Sequence, residues 1–122
     1  MKFKLLLFFT LIFTQSSFAG EGFNRTCSDV YVALSTGVPI LTADCIRIDN
    51  TYNHATLILE GLVNINGNLV YQAGRPSTFQ KSCGTIYVGK DQLRAVCRME
   101  SGGFSESGIY LPISNTDGQL TY

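Results

Sequence analysis

Two short polar runs carry the residue types that could do chemistry, Asn64-Ile65-Asn66-Gly67 and Asn115-Thr116-Asp117-Gly118. Side-chain amides and carboxylates offer neighbouring donors and acceptors, so on a rigid turn they can grip two adjacent hydroxyl groups at once. Asn-Gly and Asp-Gly are also strong hairpin signals, because a type I′ turn needs positive φ at both central residues. Taken singly, these residues are therefore explained by turn chemistry alone. Nothing comparable supports catalysis, which needs a nucleophile with its base, paired carboxylates or a metal. His54 is the single histidine, and its Asn53-His54-Ala55 stretch reads as a solvated loop. The carboxylates are scattered, without the close pair that glycoside hydrolysis uses. The chain reads as a non-enzyme that needs no cofactor.

Such turns must be held by a scaffold, and the scaffold is duplicated. Phe23-Asn24-Arg25-Thr26-Cys27 recurs as Phe79-Gln80-Lys81-Ser82-Cys83, and Val30-Tyr31-Val32 as Ile86-Tyr87-Val88, both at an offset of 56. Leu41-Thr42-Ala43-Asp44-Cys45-Ile46-Arg47 matches Leu93-Arg94-Ala95-Val96-Cys97-Arg98-Met99, and Tyr52 matches Phe104. Leu57-Ile58-Leu59 then matches Ile109-Tyr110-Leu111, and the two polar runs close their copies through Tyr71 and Tyr122. A fixed order of matches is the mark of an internal repeat. Repeat one is placed at 20–73 and repeat two at 74–122.

Each copy reads as short strands. Val30, Val32 and Leu34 alternate with Tyr31 and Ala33 at the period of a half-buried strand. No window sustains a helical period, so single-turn or 3₁₀ helices are the most that is expected and the class is all-β. Between the copies, Gln72-Ala73-Gly74-Arg75-Pro76-Ser77-Thr78 reads as a connecting loop, or as a hinge through which halves exchange between two chains.

Residues 1–19 read as a signal peptide: Lys2 and Lys4, an apolar run from Leu5 to Phe13, and a small-x-small site at Ser17-Phe18-Ala19. The apolar run falls short of the roughly 20 residues that cross a bilayer. The expected product is secreted, periplasmic or extracellular, after cleavage near Ala19, as a single domain over 20–122. Its seven basic and nine acidic residues give a net charge of −2, against a nucleic-acid partner. No later stretch suggests membrane insertion. In an exported chain of about a hundred residues, Cys27, Cys45, Cys83 and Cys97 point to disulfides. Three pairings are possible; Cys27 with Cys45 and Cys83 with Cys97 is favoured because it gives each copy its own loop. Gaps of 17 and 13 residues and one histidine do not suit structural zinc.

The duplicated set F-x-x-T/S-C, L-x-A-x-C, an aromatic seven residues on, and N-x-[ND]-G-x-L-x-Y resembles the cyanovirin-N homology lectins over nearly all of 22–122. The resemblance implies an elongated, pseudo-symmetric, disulfide-stapled β-fold whose repeats exchange hairpins. It also implies binding of mannose-rich oligosaccharides or glycoprotein glycans at two clefts, without metal or catalysis, by a monomer or a domain-swapped dimer. Carried over by position, the first cleft comprises Asn24, Arg25, Thr26, Ile46, Arg47, Ile48, Asp49, Asn115, Thr116 and Asp117. The second comprises Asn64, Ile65, Asn66, Ser77, Thr78, Lys81, Ser82, Arg98, Met99, Glu100 and Ser101. The chain departs from the family pattern at Ile46 and Ile48 in the first cleft and at Val63, Lys81 and Met99 in the second. The first has lost more polar lining, so the second is favoured. The apolar replacements also suit an alternative, a secreted protein-binding module or inhibitor on the same scaffold. Asn24-Arg25-Thr26 is in addition an N-glycosylation sequon.

Overall fold

The computed structural model describes residues 22–122; the expected signal peptide and its cleavage site lie outside the described residues. Each repeat opens on a 3₁₀ turn, Phe23–Arg25 or Phe79–Lys81, closed by an N–H to carbonyl bond from Thr26 to Phe23 or from Ser82 to Phe79. The turn drops its leading aromatic inward, and Phe23 and Phe79 are both 0% exposed.

A three-stranded antiparallel sheet follows each turn. In repeat one it is β1 (Cys27–Ala33), β2 (Ile40–Ile46) and β3 (Tyr52–Ile58), with β2 central. In repeat two it is β6 (Cys83–Gly89), β7 (Gln92–Arg98) and β8 (Phe104–Tyr110), with β7 central. The period of two along a strand puts Leu41, Ala43 and Cys45 of β2 on the core face, and Leu93, Ala95 and Cys97 of β7 on theirs. Cys27 lies opposite Cys45 and Cys83 opposite Cys97 in the strand registers, and both pairs are disulfide-bonded. The favoured pairing is the one found.

Both first strands are bulged at the same place. The register of β1 shifts between Ser28 and Tyr31, and that of β6 between Gly84 and Tyr87. Asp29 (φ 53°) and Thr85 (φ 51°) take a left-handed conformation within these bulges.

Each repeat then makes a hairpin, β4 (Glu60–Ile65) with β5 (Asn68–Pro76), and β9 (Ser114–Thr116) with β10 (Gln119–Thr121). The turns are as expected: Asn66 and Gly67 have φ of 52° and 89°, Asp117 and Gly118 of 50° and 87°. Each hairpin packs on the other repeat's sheet, β5 against β8 and β10 against β3. Leu69 N donates to Ser107 Oγ at 2.9 Å, and Asn53 Nδ2 to Gly118 O at 2.8 Å, across those seams. The buried side chains form one core cluster drawn from both repeats, including Leu59, Leu62, Leu111 and Ile113. The crossed hairpins thus bury apolar side chains of both repeats in one shared core.

Three local expectations are corrected. The connector is not a loop throughout: β5 runs on to Pro76, which pairs with Glu60. The partner strand makes this possible by a register break at Gly61, whose φ is 77° and where a Cβ would stand 2.7 Å from the Tyr71 ring. Strand β5 therefore crosses the repeat boundary placed at 73/74, and only Ser77 and Thr78 remain to link it to the next 3₁₀ turn. His54 lies in β3 opposite Asp44 rather than in a loop. Its ring reaches Asp44 at 2.8 Å on the exposed face, so polar composition here marks an outward strand face. Leu34 falls one residue beyond β1 and is exposed.

Candidate functional site

The hairpin turns carry the polar side chains, and the exchange decides what they meet. Asn115 Nδ2 donates to Thr26 Oγ1 and to Ile46 O, both at 3.0 Å, while its Oδ1 accepts from Gly118 N at 2.7 Å. In the other half Asn64 Nδ2 donates to Ser82 Oγ at 2.9 Å and Arg98 O at 3.0 Å, and Oδ1 accepts from Gly67 N at 2.8 Å. The two networks correspond atom for atom under the repeat. Each asparagine closes its own turn and rivets it to the opposite sheet.

A second rivet lies two residues on. Asp117 Oδ1 accepts from Ile48 N at 2.9 Å, and Asn66 Oδ1 from Glu100 N at 2.9 Å. The turn glycines fit flush beneath: a Cβ on Gly118 would stand 2.8 Å from Arg47 Cγ, and one on Gly67 2.8 Å from Met99 Cγ. Turn chemistry and cleft construction are thus the same act. Asp117 and Asn66 each spend one side-chain oxygen on it and keep polar capacity facing outward.

The first predicted set closes on a cleft of about 770 Å³ lined by Arg25, Thr26, Ile46, Arg47, Ile48, Asn115, Thr116 and Asp117, together with Cys27, Ser28, Asn50 and Tyr52. Asn50 and Tyr52 were not expected there. Tyr52 is 63% exposed at the start of β3, and an unburied aromatic opposite a polar turn is the signal that could have found it. Arg47 is committed to its own loop, donating to Thr51 Oγ1, Tyr52 O and Asn53 Oδ1 at 2.8–3.1 Å. Asp49 braces the same loop by accepting from Thr51 Oγ1 at 2.6 Å and Thr51 N at 3.0 Å. Those bonds, the hydroxyl's first, hold its carboxyl below the ordinary value of 3.8.

Asn24 does not line this cleft. Its backbone N donates to Asp91 Oδ1 at 3.0 Å, and its amide oxygen, in the orientation that satisfies both donors, accepts from Lys90 N and Asp91 N. The sequon asparagine is part of the contact between repeats.

In the second set, the bonds of Asn64 and Asn66 bring Ser82, Arg98 and Glu100 together, with Met99 under the turn; Ile65, Lys81 and Ser101 are exposed nearby in sequence. Ser77 lies beneath the surface instead. It is 7% exposed, donates to Leu59 O and accepts from Leu62 N, and so ties β4 to the start of the next turn. Thr78 is exposed just before the 3₁₀ turn, its backbone N bonded to Leu62 O. Polarity thus favours the second set and concavity the first. Another cavity, about 240 Å³, lies between Tyr71, Tyr110 and Tyr122 and was not foreseen. Among the described residues no group of three or more His, Cys, Asp or Glu is placed to hold a metal ion, and no helix is long and apolar enough to cross a membrane.

With the duplicated frame and its crossed hairpins in view, comparison with known families is decisive: the model of the CVNH domain matches residues 23–121. The chain belongs to the CVNH family. Among solved structures it is similar to microvirin, determined as a mannobiose complex, at 26% identity and a TM-score of 0.61 over 82% of this chain and 96% of that one. It is similar to the CVNH protein of Gibberella zeae at 26% identity and TM-score 0.58, over 82% and 95%. The CVNH-LysM module of the rice blast fungus Magnaporthe oryzae superposes with TM-score 0.68 at 18% identity, over 82% and 96%, and shows the fold alone. No curated protein matches.

Proposed function

We propose that this protein is a secreted carbohydrate-binding lectin that recognises mannose-rich oligosaccharides through one or both of its shallow hairpin-built clefts, without metal or catalysis. The observation that carries this reading is the paired rivet: Asn115 and Asn64 fix two polar turns against opposite sheets by the same bonds. Prefixed turns cost little ordering on binding, which suits a ligand whose hydroxyls each contribute modestly. The likeness to microvirin, solved with mannobiose, supports mannose as the sugar. Two sites on one rigid body would gain avidity on a dense glycan surface. The signal-like segment 1–19 and the disulfides support export to the periplasm or beyond.

The test is retention of the oxidised mature protein on immobilised mannan. The protein should bind and elute with excess soluble oligomannose. Passage through the column, or retention that soluble sugar cannot reverse, would favour the protein-binding alternative.

A further inference from the structure

The two clefts share a frame and differ at their mouths. Under the repeat, Ile46 and Ile48 of the first correspond to Arg98 and Glu100 of the second, while the rivets behind them are unchanged. Ile48 is 87% exposed, an unusual place for a large apolar side chain that is also held rigid. Its N–H is bound by Asp117, and the loop carrying it is closed by Arg47 N to Thr51 O at 2.7 Å and Asn50 N to Arg47 O at 2.9 Å. Tyr52, Ile46 and the exposed Asn50 share the cleft lining with it, and the Asp117 carboxylate holds its N–H.

A plain hexose suits this mouth poorly. Hydroxyls pressed on Ile48 would lose their water and gain no partner there. We propose that the first cleft takes a 2-acetamido sugar, its methyl group on Ile48 and Tyr52, its N–H donating to Asp117 Oδ2 and its carbonyl accepting from Asn50 Nδ2. The acetamido group presents an apolar cap, a donor and an acceptor within one planar unit. The first cleft offers the complement of each. The second, with Arg98 and Glu100 in the corresponding places, keeps hydroxyl-only sugars. This inference rests on the carbohydrate-binding reading and assigns the two clefts different sugars.

The test is chemical-shift titration of the oxidised protein with N,N′-diacetylchitobiose, its de-N-acetylated counterpart, α-mannobiose and methyl α-fucoside. Diacetylchitobiose should shift the amides of Ile48, Asn50 and Asp117 with an affinity about 10-fold or more above that of the other three sugars, the usual worth of a fitted methyl. Ile48→Ser, on a side chain that is almost wholly exposed, should remove that preference and leave mannobiose binding at Asn66 and Glu100 unchanged. Equal affinity for mannobiose or fucoside at the first cleft, or an Ile48→Ser variant with the preference intact, would overturn the inference while the mannose reading stands. Absence of shifts with every sugar would overturn both.

Discussion

The side-chain amide of Asn115 donates to Thr26 Oγ1 at 3.0 Å across 89 residues of sequence. That bond joins the last hairpin of repeat two to the first turn of repeat one. Asn64 and Ser82 make the same bond in the opposite sense, at 2.9 Å. The clefts are therefore products of the crossing, and whatever loosens the hairpins should loosen the sites.

Replacing Asn115 or Asn64 by alanine removes three hydrogen bonds, two of them to the other repeat. Net values near 1 kcal/mol per bond suggest a loss of about 2–3 kcal/mol in urea unfolding. The fold should survive with its β-sheet circular dichroism, and binding should weaken at the cleft on the altered hairpin. Asn66→Gly, which accepts the φ of 52° at this turn position, removes one exposed bond and should cost about 1 kcal/mol or less. Equal losses at Asn64 and Asn66 would contradict the riveting role.

Each disulfide closes a loop within one repeat, with separations of 18 and 14 residues. Loop closure of that size stabilises by roughly 3 kcal/mol. The Cys27→Ser/Cys45→Ser and Cys83→Ser/Cys97→Ser double variants should be destabilised by similar amounts in thermal unfolding. A large difference would mean that the repeats do not share the load evenly.

Thr85 is a β-branched residue held at φ 51° on the bulge of β6, where its repeat partner is Asp29. Left-handed conformations cost an ordinary residue about 1–3 kcal/mol, and asparagine tolerates them better. Thr85→Asn should raise the unfolding free energy by about 1 kcal/mol and leave sugar binding unaltered, since Thr85 lies in neither cleft.

The Thr51 bonds to Asp49 favour its charged form in the folded chain. A depressed folded value means their contribution is complete above the unfolded value near 3.8 and is lost as pH falls through the lower folded one. NMR titration should show the Asp49 carboxyl protonating below 3.8, with Thr51→Ala, which keeps the backbone bond, moving it only part of the way back. Because Asp49 is solvent-exposed, the effect on global stability should be small.

Local chemistry made much of the fold legible in sequence. Asn66-Gly67 and Asp117-Gly118 declare their turns because few other pairs accept positive φ twice, and the period of two over Val30 to Ala33 declares β1. Cysteine spacing within a repeat left a symmetric pairing. What escaped depends on contacts between distant segments. Gln72 to Pro76 has loop composition, yet it is strand because Gly61 on the facing strand bends to meet it. Ser77 and Asn24 look like free polar groups, and packing turns one inward and locks the other onto Lys90 and Asp91. Asn50 and Tyr52 join the first cleft because β10 packs against β3. The Tyr71, Tyr110 and Tyr122 cavity forms where three separated elements converge, and no local pattern announces it.

The most direct test of the central claim is a crystal structure of the oxidised protein with a mannose oligosaccharide. Sugar seated against Asn66 and Glu100, with the hairpins crossed as described, is the predicted result. Sugar lodged instead between Tyr71, Tyr110 and Tyr122, or none at saturating concentration, would contradict it.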